Sequence, residues 1–271
     1  MAIVQADLEQ LSSAARGRDF VRRWGPALMT FVLALLLWEG LVRLLNIGIY
    51  LLPPPSQIAA RLAERAGFLL GIGFYTFQEA LFGFLIGCSL GVLAAMLCVR
   101  WHWMADGLLP LAVASNAVPI IALAPLVGVW FGSTGQASKV AIVAIMTFFP
   151  TLINAYRGLT SPAPATLELM RSYAATPAQI FLKLRVPAAL PFLFNALKIS
   201  ATLSIIGALV SEFFGGPLRA LGVYILSQAS IGHYAEAWAA ILVACALGIA
   251  FYAVIVLAER LAMPWHVSRR E

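Results

Sequence analysis

The sequence predicts an all-α fold, a polytopic membrane bundle of about six transmembrane helices. Of its 271 residues, 62% are hydrophobic and 11% are charged, whereas soluble domains carry about 25% charged residues. The apolar residues fall in runs of about twenty, the length that a helix needs to cross about 30 Å of hydrocarbon. These runs lack the alternation that barrel strands require, so helices are the spanning elements that remain.

Six apolar runs define the predicted spans, and the positive charges between them set the orientation. Twelve of the 18 Lys and Arg residues fall on the side of the N-terminus and five on the other, so the N-terminal side is predicted to be cytoplasmic. The chain then divides into a cytoplasmic N-terminal segment (1–24), a transmembrane domain (25–260) and a cytoplasmic tail (261–271). The predicted spans are residues 25–45, 75–99, 108–130, 140–159, 192–214 and 237–257.

The first span and the segment after it carry a local ion pair and a helix start. Glu39 and Arg43 stand four residues apart near the outer end of the span, which favours an interfacial ion pair. Residues 52–56 contain three prolines and cannot be helical. Ser56 is predicted to cap a short amphipathic helix that ends at Ala66 and lies on the outer surface.

The second span has one smooth face. Gly83, Gly87, Gly91 and Ala95 are spaced by four residues, which allows a neighbouring helix to approach closely. Glu79 lies one turn beyond this stripe.

The third span is interrupted by prolines at positions 110, 119 and 125. Such broken helices are tolerated only inside protein or along a cavity. Two interpretations remain open, a kinked packing helix or a segment from Asn116 to Pro125 that lines a translocation path. On the second interpretation the candidate path residues are Asn116, Pro119, Pro125, Thr202 and Ser204.

The charged residues predicted to be buried within spans are Glu79, Lys198 and Glu212. An unpaired lysine there costs a few kcal/mol, so Lys198 is expected to meet a carbonyl or a carboxylate, or to reach the cytoplasmic interface. Glu212 is expected to order the outer gate. For all three a structural role is predicted rather than contact with a solute.

The loop 161–191 is long enough for two short helices with a turn. Apolar residues recur at helical spacing in both halves, and Thr176-Pro177 is a typical helix start. Its basic residues mark it as cytoplasmic.

Catalytic and cofactor-binding motifs are missing from the sequence. The only lysines are at positions 139, 183 and 198, and none stands in a phosphate-binding loop. Metal-ligand and nucleophile motifs are equally missing, so no metal, cofactor or enzymatic activity is predicted. The net charge is +6, but the basic residues that produce it cluster at the ends of spans, so the charge does not indicate nucleic-acid binding. What remains is a passive pore in a lipid bilayer that is driven by an external energy source.

At the loop, the sequence resembles the permease subunits of ABC importers. Glu168-Leu169-Met170, Ala174, Gln179-Ile180-Phe181 and Pro187 resemble the "EAA" loop of these proteins, with Ala174 where the family keeps glycine. Further stretches resemble the nitrate/sulfonate/taurine branch, and they stand in the family's order. The first is residues 52–56 and the last is Ser211-Glu212-Phe213. Between them, residues 118–132 contain three matching segments: Val118-Pro119, Pro125-Leu126 and Trp130-Phe131-Gly132.

The resemblance implies partners and a location in the bacterial inner membrane. It implies two ABC ATPase subunits, a second permease copy and an extracytoplasmic substrate-binding protein that delivers a small solute. The residues that it implies for coupling to the ATPase are Glu168, Met170, Ala174, Ile180 and Pro187.

The solute class is not determined by the residues. Importers of nitrate, sulfonates, taurine and pyrimidine-type vitamin precursors belong to the resembled branch, and residues 114–121 and 204–208 look nearest to the vitamin-precursor members. The alternative function is a secondary transporter or channel that acts alone, which the lack of an inverted repeat disfavours.

Overall fold

The structure is a computed structural model that describes residues 25–263. The predicted cytoplasmic segment 1–24 and the part of the predicted tail from residue 264 onward lie outside the described residues. We call "outer" the side that the sequence predicts to be extracytoplasmic.

The described chain is an all-α bundle, as predicted, and residues 25–263 contain no strand. Five helical segments are long and apolar enough to cross a membrane: α1 (Gly25–Leu44), α3 (Ala66–Arg100), α6 (Gln136–Thr160), the segment Pro177–Glu212, and α11 (Tyr234–Ala262). The segment Pro177–Glu212 consists of α8 (Pro177–Ile180), a π-helical turn (Phe181–Arg185) and α9 (Val186–Glu212). The shorter helices are α2 (Pro55–Glu64), α4 (His102–Ala114), α5 (Ala124–Phe131), α7 (Pro164–Ser172) and α10 (Leu221–Ser230).

The predicted third span is broken, which is why five continuous spans appear instead of six. α4 and α5 are joined by two 3-10 turns, Ser115–Ala117 and Ile120–Leu123. Between them Pro119 forces the preceding Val118 into an extended conformation, with φ −85° and ψ 124°. Pro110 lies inside α4 without ending it, and Pro125 occupies the first turn of α5, where proline is tolerated.

The glycine stripe of α3 packs directly on α6, which confirms the predicted close approach of a neighbouring helix. A Cβ atom at Gly87 would lie 2.1 Å from Thr147 Oγ1 and 2.3 Å from the carbonyl oxygen of Ala144. One at Gly83 would lie 2.4 Å from Val143 Cβ. Only glycine permits this backbone approach, and α6 in turn packs on α9, so α3, α6 and α9 form the core of the bundle.

Polar side chains tie the core helices together inside the bundle. Thr151 Oγ1 lies 3.2 Å from Ser200 Oγ, which joins α6 to α9. Lys198 Nζ donates to Glu259 Oε2 on α11 at 3.0 Å. The prediction that Lys198 meets a carboxylate is confirmed.

Three predicted boundaries are wrong. α3 begins at Ala66, nine residues before the predicted residue 75, and its 35 residues span about 52 Å, more than the hydrocarbon thickness of about 30 Å. The predicted outer loop 215–236 contains α10, which forms because Leu221, Tyr224 and Ile225 bury one apolar face. Ser56 is not an N-cap, because α2 starts at Pro55, one residue earlier.

Candidate coupling segment and translocation path

The coupling segment, residues 161–191, begins with α7. Pro164 occupies the first helical position after Ala163, where its fixed φ favours helix and its missing N–H costs nothing. α7 buries none of its residues. Glu168 lies in the middle of α7 with an exposed side chain and does not open the helix, because the helix start is set by Pro164.

α7 ends in a Schellman motif centred on Ala174. The backbone N–H of Ala174 donates to the carbonyl of Arg171 at 2.9 Å, and that of Ala175 donates to Met170 at 3.0 Å. Ala174 accordingly adopts a left-handed conformation with φ 53°. This conformation favours glycine. The glycine that the family keeps at this position is therefore explained by backbone conformation, without any need for a partner to approach closely.

α8 starts with a capping box, and the prediction of Thr176 as its N-cap is confirmed. Thr176 Oγ1 accepts from the backbone N–H of Gln179 at 3.3 Å, and Gln179 Oε1 accepts from the N–H of Thr176 at 2.8 Å. From Pro177 the chain stays helical to Glu212, so the second short helix of the loop and the predicted span 192–214 form one continuous segment. Pro187 lies in the first turn of α9 and does not break it. A movement of α8 therefore passes directly into a spanning helix.

The base of the coupling segment is fixed where α6 ends and α9 begins. A Cβ atom at Gly158 would lie 2.8 Å from Ala189 Cα and 2.9 Å from Phe192 Cβ. This contact between Gly158 and Ala189 was not predicted from the sequence. The π-helical turn was not predicted either, because the sequence carries no signal for it.

The coupling segment presents apolar side chains beyond the bundle. Leu169 is 55% exposed, Tyr173 78% and Leu182 64%, and the cations of Arg171 and Lys183 are exposed beside them. Met170 and Ile180 are half-buried. An exposed apolar surface rimmed by charge is typical of a protein–protein interface.

A groove of about 270 Å³ lies where the third predicted span is broken. Ser115, Pro119, Phe149, Pro150 and Leu203 are among its lining residues, and none of the residues that line it is charged. The candidate path residue Pro119 lies in this groove, and Asn116 belongs to the adjoining 3-10 turn.

The remaining path candidates lie elsewhere. Pro125 is exposed at the start of α5. Thr202 lines a separate apolar groove of about 500 Å³ between α9 and α11, and its hydroxyl donates to the carbonyl of Ile199 at 2.8 Å. Ser204 has no exposed surface, and its hydroxyl donates to the carbonyl of Ala201 at 2.8 Å. The structure therefore does not bring Thr202 and Ser204 together with Pro119.

Four buried polar residues meet at the outer ends of α3, α6 and α9, and we call them the outer polar cluster: Thr76, Glu79, Lys139 and Glu212. Thr76 Oγ1 donates to Glu212 Oε1 at 2.7 Å. The Glu79 carboxyl is buried beside Glu212 and Lys139, whose charges act on it. The Lys139 ammonium donates to the carbonyl of Ser133 in the turn between α5 and α6. Sequence reasoning singled out the two glutamates, but it could not bring them together.

The chain belongs to a family of membrane transport components. The sequence pattern of the family described as "binding-protein-dependent transport system inner membrane component" matches residues 87–264. With a bundle of this kind and an exposed helical coupling segment, the chain is a permease subunit of an ABC importer and a multi-pass inner-membrane protein. The family implies an ATPase subunit and a substrate-binding protein as partners.

Several curated proteins are similar over most of their length. The chain is 33% identical over 240 residues to the formylaminopyrimidine transport permease protein ThiX of Halalkalibacterium halodurans, covering 87% of this chain and 93% of that one. It is 30% identical over 270 residues to the riboflavin transport system permease protein RibX of Chloroflexus aurantiacus, covering 98% and 100%. It is 26% identical over 247 residues to the putative aliphatic sulfonates transport permease protein SsuC of Bacillus subtilis, covering 90% and 89%.

The fold is also found in a solved structure of a transporter. An inward-facing conformation of the MetNI methionine ABC transporter matches with a TM-score of 0.51 and 21% identity, covering 75% of this chain and 95% of that one.

Proposed function

We propose that two copies of this permease form the translocation path of an importer whose energy comes from two ATPase subunits bound at the coupling segments. The observation that carries this proposal is the continuity of α8 with α9, because a helix gripped by a nucleotide-driven partner then moves a spanning helix directly. The residues proposed to couple to the ATPase are Glu168, Met170, Ala174, Ile180 and Pro187. One chain has one coupling segment, so a two-fold pair presents two segments to two ATPases.

Co-purification with native mass spectrometry tests the assembly. A tagged permease is expected to co-purify with one ATPase subunit for each permease, in a complex of two permeases and two ATPase subunits. The permease alone is expected to show no ATP hydrolysis. Transport by single permease copies in liposomes would contradict the proposal.

The solute is proposed to be a neutral, flat heteroaromatic compound of the pyrimidine-type vitamin-precursor class. The groove at the broken span supports this class, because Phe149, Pro150 and Leu203 offer apolar surface and no cation lines it to neutralise a sulfonate. Two of the similar proteins are named for formylaminopyrimidine and riboflavin transport, which agrees with a heteroaromatic solute.

Uptake into proteoliposomes that contain the permease, its ATPase and its binding protein tests the solute class. Labelled formylaminopyrimidine is expected to accumulate when ATP is supplied, and labelled taurine is not. Accumulation of taurine alone would assign the chain to the sulfonate/taurine class.

The orientation is also part of this proposal, with both termini in the cytoplasm and the outer polar cluster on the extracytoplasmic side. The support is the distribution of Lys and Arg, twelve against five. A cysteine in place of Leu169 is expected to react with a membrane-impermeant maleimide only in inverted vesicles. Labelling of residue 169 in intact cells would show that the chain has the opposite orientation.

A further inference from the structure

The two short helices on the outer side, α2 and α10, have no cap of their own. Their N-cap residues are Pro54 and Ala220, and neither makes a side-chain hydrogen bond to its helix. The first amides of a helix have no partner within that helix and need acceptors from elsewhere. Both helices obtain these acceptors from distant parts of the chain.

α2 takes its acceptor from α1. Glu39 Oε2 accepts from the backbone N–H of Ser56 at 3.0 Å, and Glu39 Oε1 accepts from the Ser56 hydroxyl at 2.8 Å. Arg43 Nε donates to the same carboxylate at 2.6 Å and holds it in place. A carboxylate at a helix start is further stabilised by the helix dipole.

α10 takes its acceptors from two spanning helices. Glu212 Oε2, on α9, accepts from the backbone N–H of Gly222 at 2.6 Å. Thr76 Oγ1, on α3, accepts from the N–H of Leu221 at 2.9 Å and donates to Glu212 at 2.7 Å. Glu212 is 1% exposed and Leu221 has no exposed surface, so these bonds are shielded from water.

Gly222 is the residue that permits this contact. A Cβ atom there would lie 2.4 Å from the carbonyl oxygen of Leu209 and 2.7 Å from Glu212 Oε2. The first turn of α10 therefore lies directly on the backbone of α9. This position requires glycine because of space, since its φ is not in the left-handed region.

We propose that Glu39 and the pair Thr76–Glu212 are positioning residues that fix α2 and α10 to the outer ends of the spanning helices. α10 then moves as one body with α3 and α9, and α2 moves with α1. This inference rests on the proposed function: the two helices form the fixed outer surface against which the binding protein delivers its solute, and admission of the solute does not require α10 to lift away.

Hydrogen exchange of the permease–ATPase complex in nanodiscs tests the caps without reference to any solute. Thr76→Val keeps the shape of the side chain and removes the hydroxyl. Loss of a cap of this kind is expected to speed exchange in peptides covering the first turn of α10 by about fivefold to tenfold, with α2 unchanged. Thr76→Ser is expected to restore protection, and Glu39→Gln to speed exchange in α2 alone.

The matched control is Thr30→Val, because the Thr30 hydroxyl is exposed and bonds to the carbonyl of Pro26 in its own helix. It is expected to leave both helices as protected as in the unmodified protein. Unchanged protection of α10 in Thr76→Val would overturn the capping role. Should Thr76→Val not assemble, Glu212→Leu decides the same question, since it removes both oxygens that accept from Gly222 and Thr76.

Uptake kinetics test the positioning role. Weaker capping is expected to raise the apparent KM for the loaded binding protein several-fold in Thr76→Val, with basal ATP hydrolysis unchanged. Loosened α10 with an unchanged KM would overturn the positioning role while leaving the importer assignment in place. A wrong solute class would instead show as lack of uptake by the unmodified complex.

Discussion

At the scale of the residue, Ala174 shows how one position carries a backbone requirement. A non-glycine residue in the left-handed conformation costs about 1 kcal/mol, and Ala174 has φ 53°. We therefore expect Ala174→Gly to stabilise the end of α7 by about 1 kcal/mol, read as slower hydrogen exchange in peptides covering residues 164–176.

The control for this change is Ala165→Gly, in the right-handed part of the same helix. It is expected to cost up to about 1 kcal/mol, because glycine there only adds flexibility to the unfolded chain. Equal effects of the two changes would show that the conformation at residue 174 does not matter.

The Lys198–Glu259 ion pair links α9 to α11. Lys198→Met leaves the Glu259 carboxylate, whose side chain is 10% exposed, without its cation. We expect a loss of about 3 kcal/mol in stability, measured as a lower midpoint of thermal unfolding in detergent. Combining it with Glu259→Gln is expected to recover most of this loss, as the two residues contact each other. Additive losses in the double variant would contradict a direct pair.

At the scale of the element, the glycine face of α3 allows a comparison within one helix. Gly87→Ala places a methyl group 2.1 Å from Thr147 Oγ1, whereas a Cβ atom at Gly71 meets nothing within 4 Å. We expect Gly87→Ala to lower stability by about 1–3 kcal/mol and Gly71→Ala to be neutral or slightly stabilising. Thermal unfolding of the two variants side by side checks this, and a neutral Gly87→Ala would show that α3 and α6 can separate without cost.

The π-helical turn connects α8 to α9 within one helical segment. Leu182→Pro removes a backbone donor inside the turn Phe181–Arg185 and is expected to uncouple α8 from α9. The ATPase should still bind, since α7 and α8 both precede the substituted residue, but ATP-driven uptake should fall at least about tenfold. Leu182→Ala, which keeps the backbone donor, is the control. Normal uptake in Leu182→Pro would show that movement reaches α9 by another route.

At the scale of the whole molecule, sequence reasoning succeeded where the information is local. The N-cap at Thr176, the ion pair Glu39–Arg43 and the glycine face of α3 all depend on residues within a few positions, and each was predicted. The partner of Lys198 is 61 residues away and that of Glu212 is 136 residues away, so only the folded bundle identifies them. A break in the third span was predicted as a possibility. Its exact place could not be predicted, because the packing of the surrounding helices decides which of the three prolines ends a helix and which stays inside one.

The continuous segment Pro177–Glu212 has a mechanical consequence for the whole molecule. Its 36 residues form a lever about 54 Å long, of which about 24 Å extends beyond a hydrocarbon layer of about 30 Å. If such a lever pivots near its midpoint, a tilt of about 10° displaces its two ends by about 5 Å in opposite directions. In the proposed pair of permeases, a pull that brings the two coupling ends together would drive the two far ends apart, so that closing one mouth of the pore would open the other.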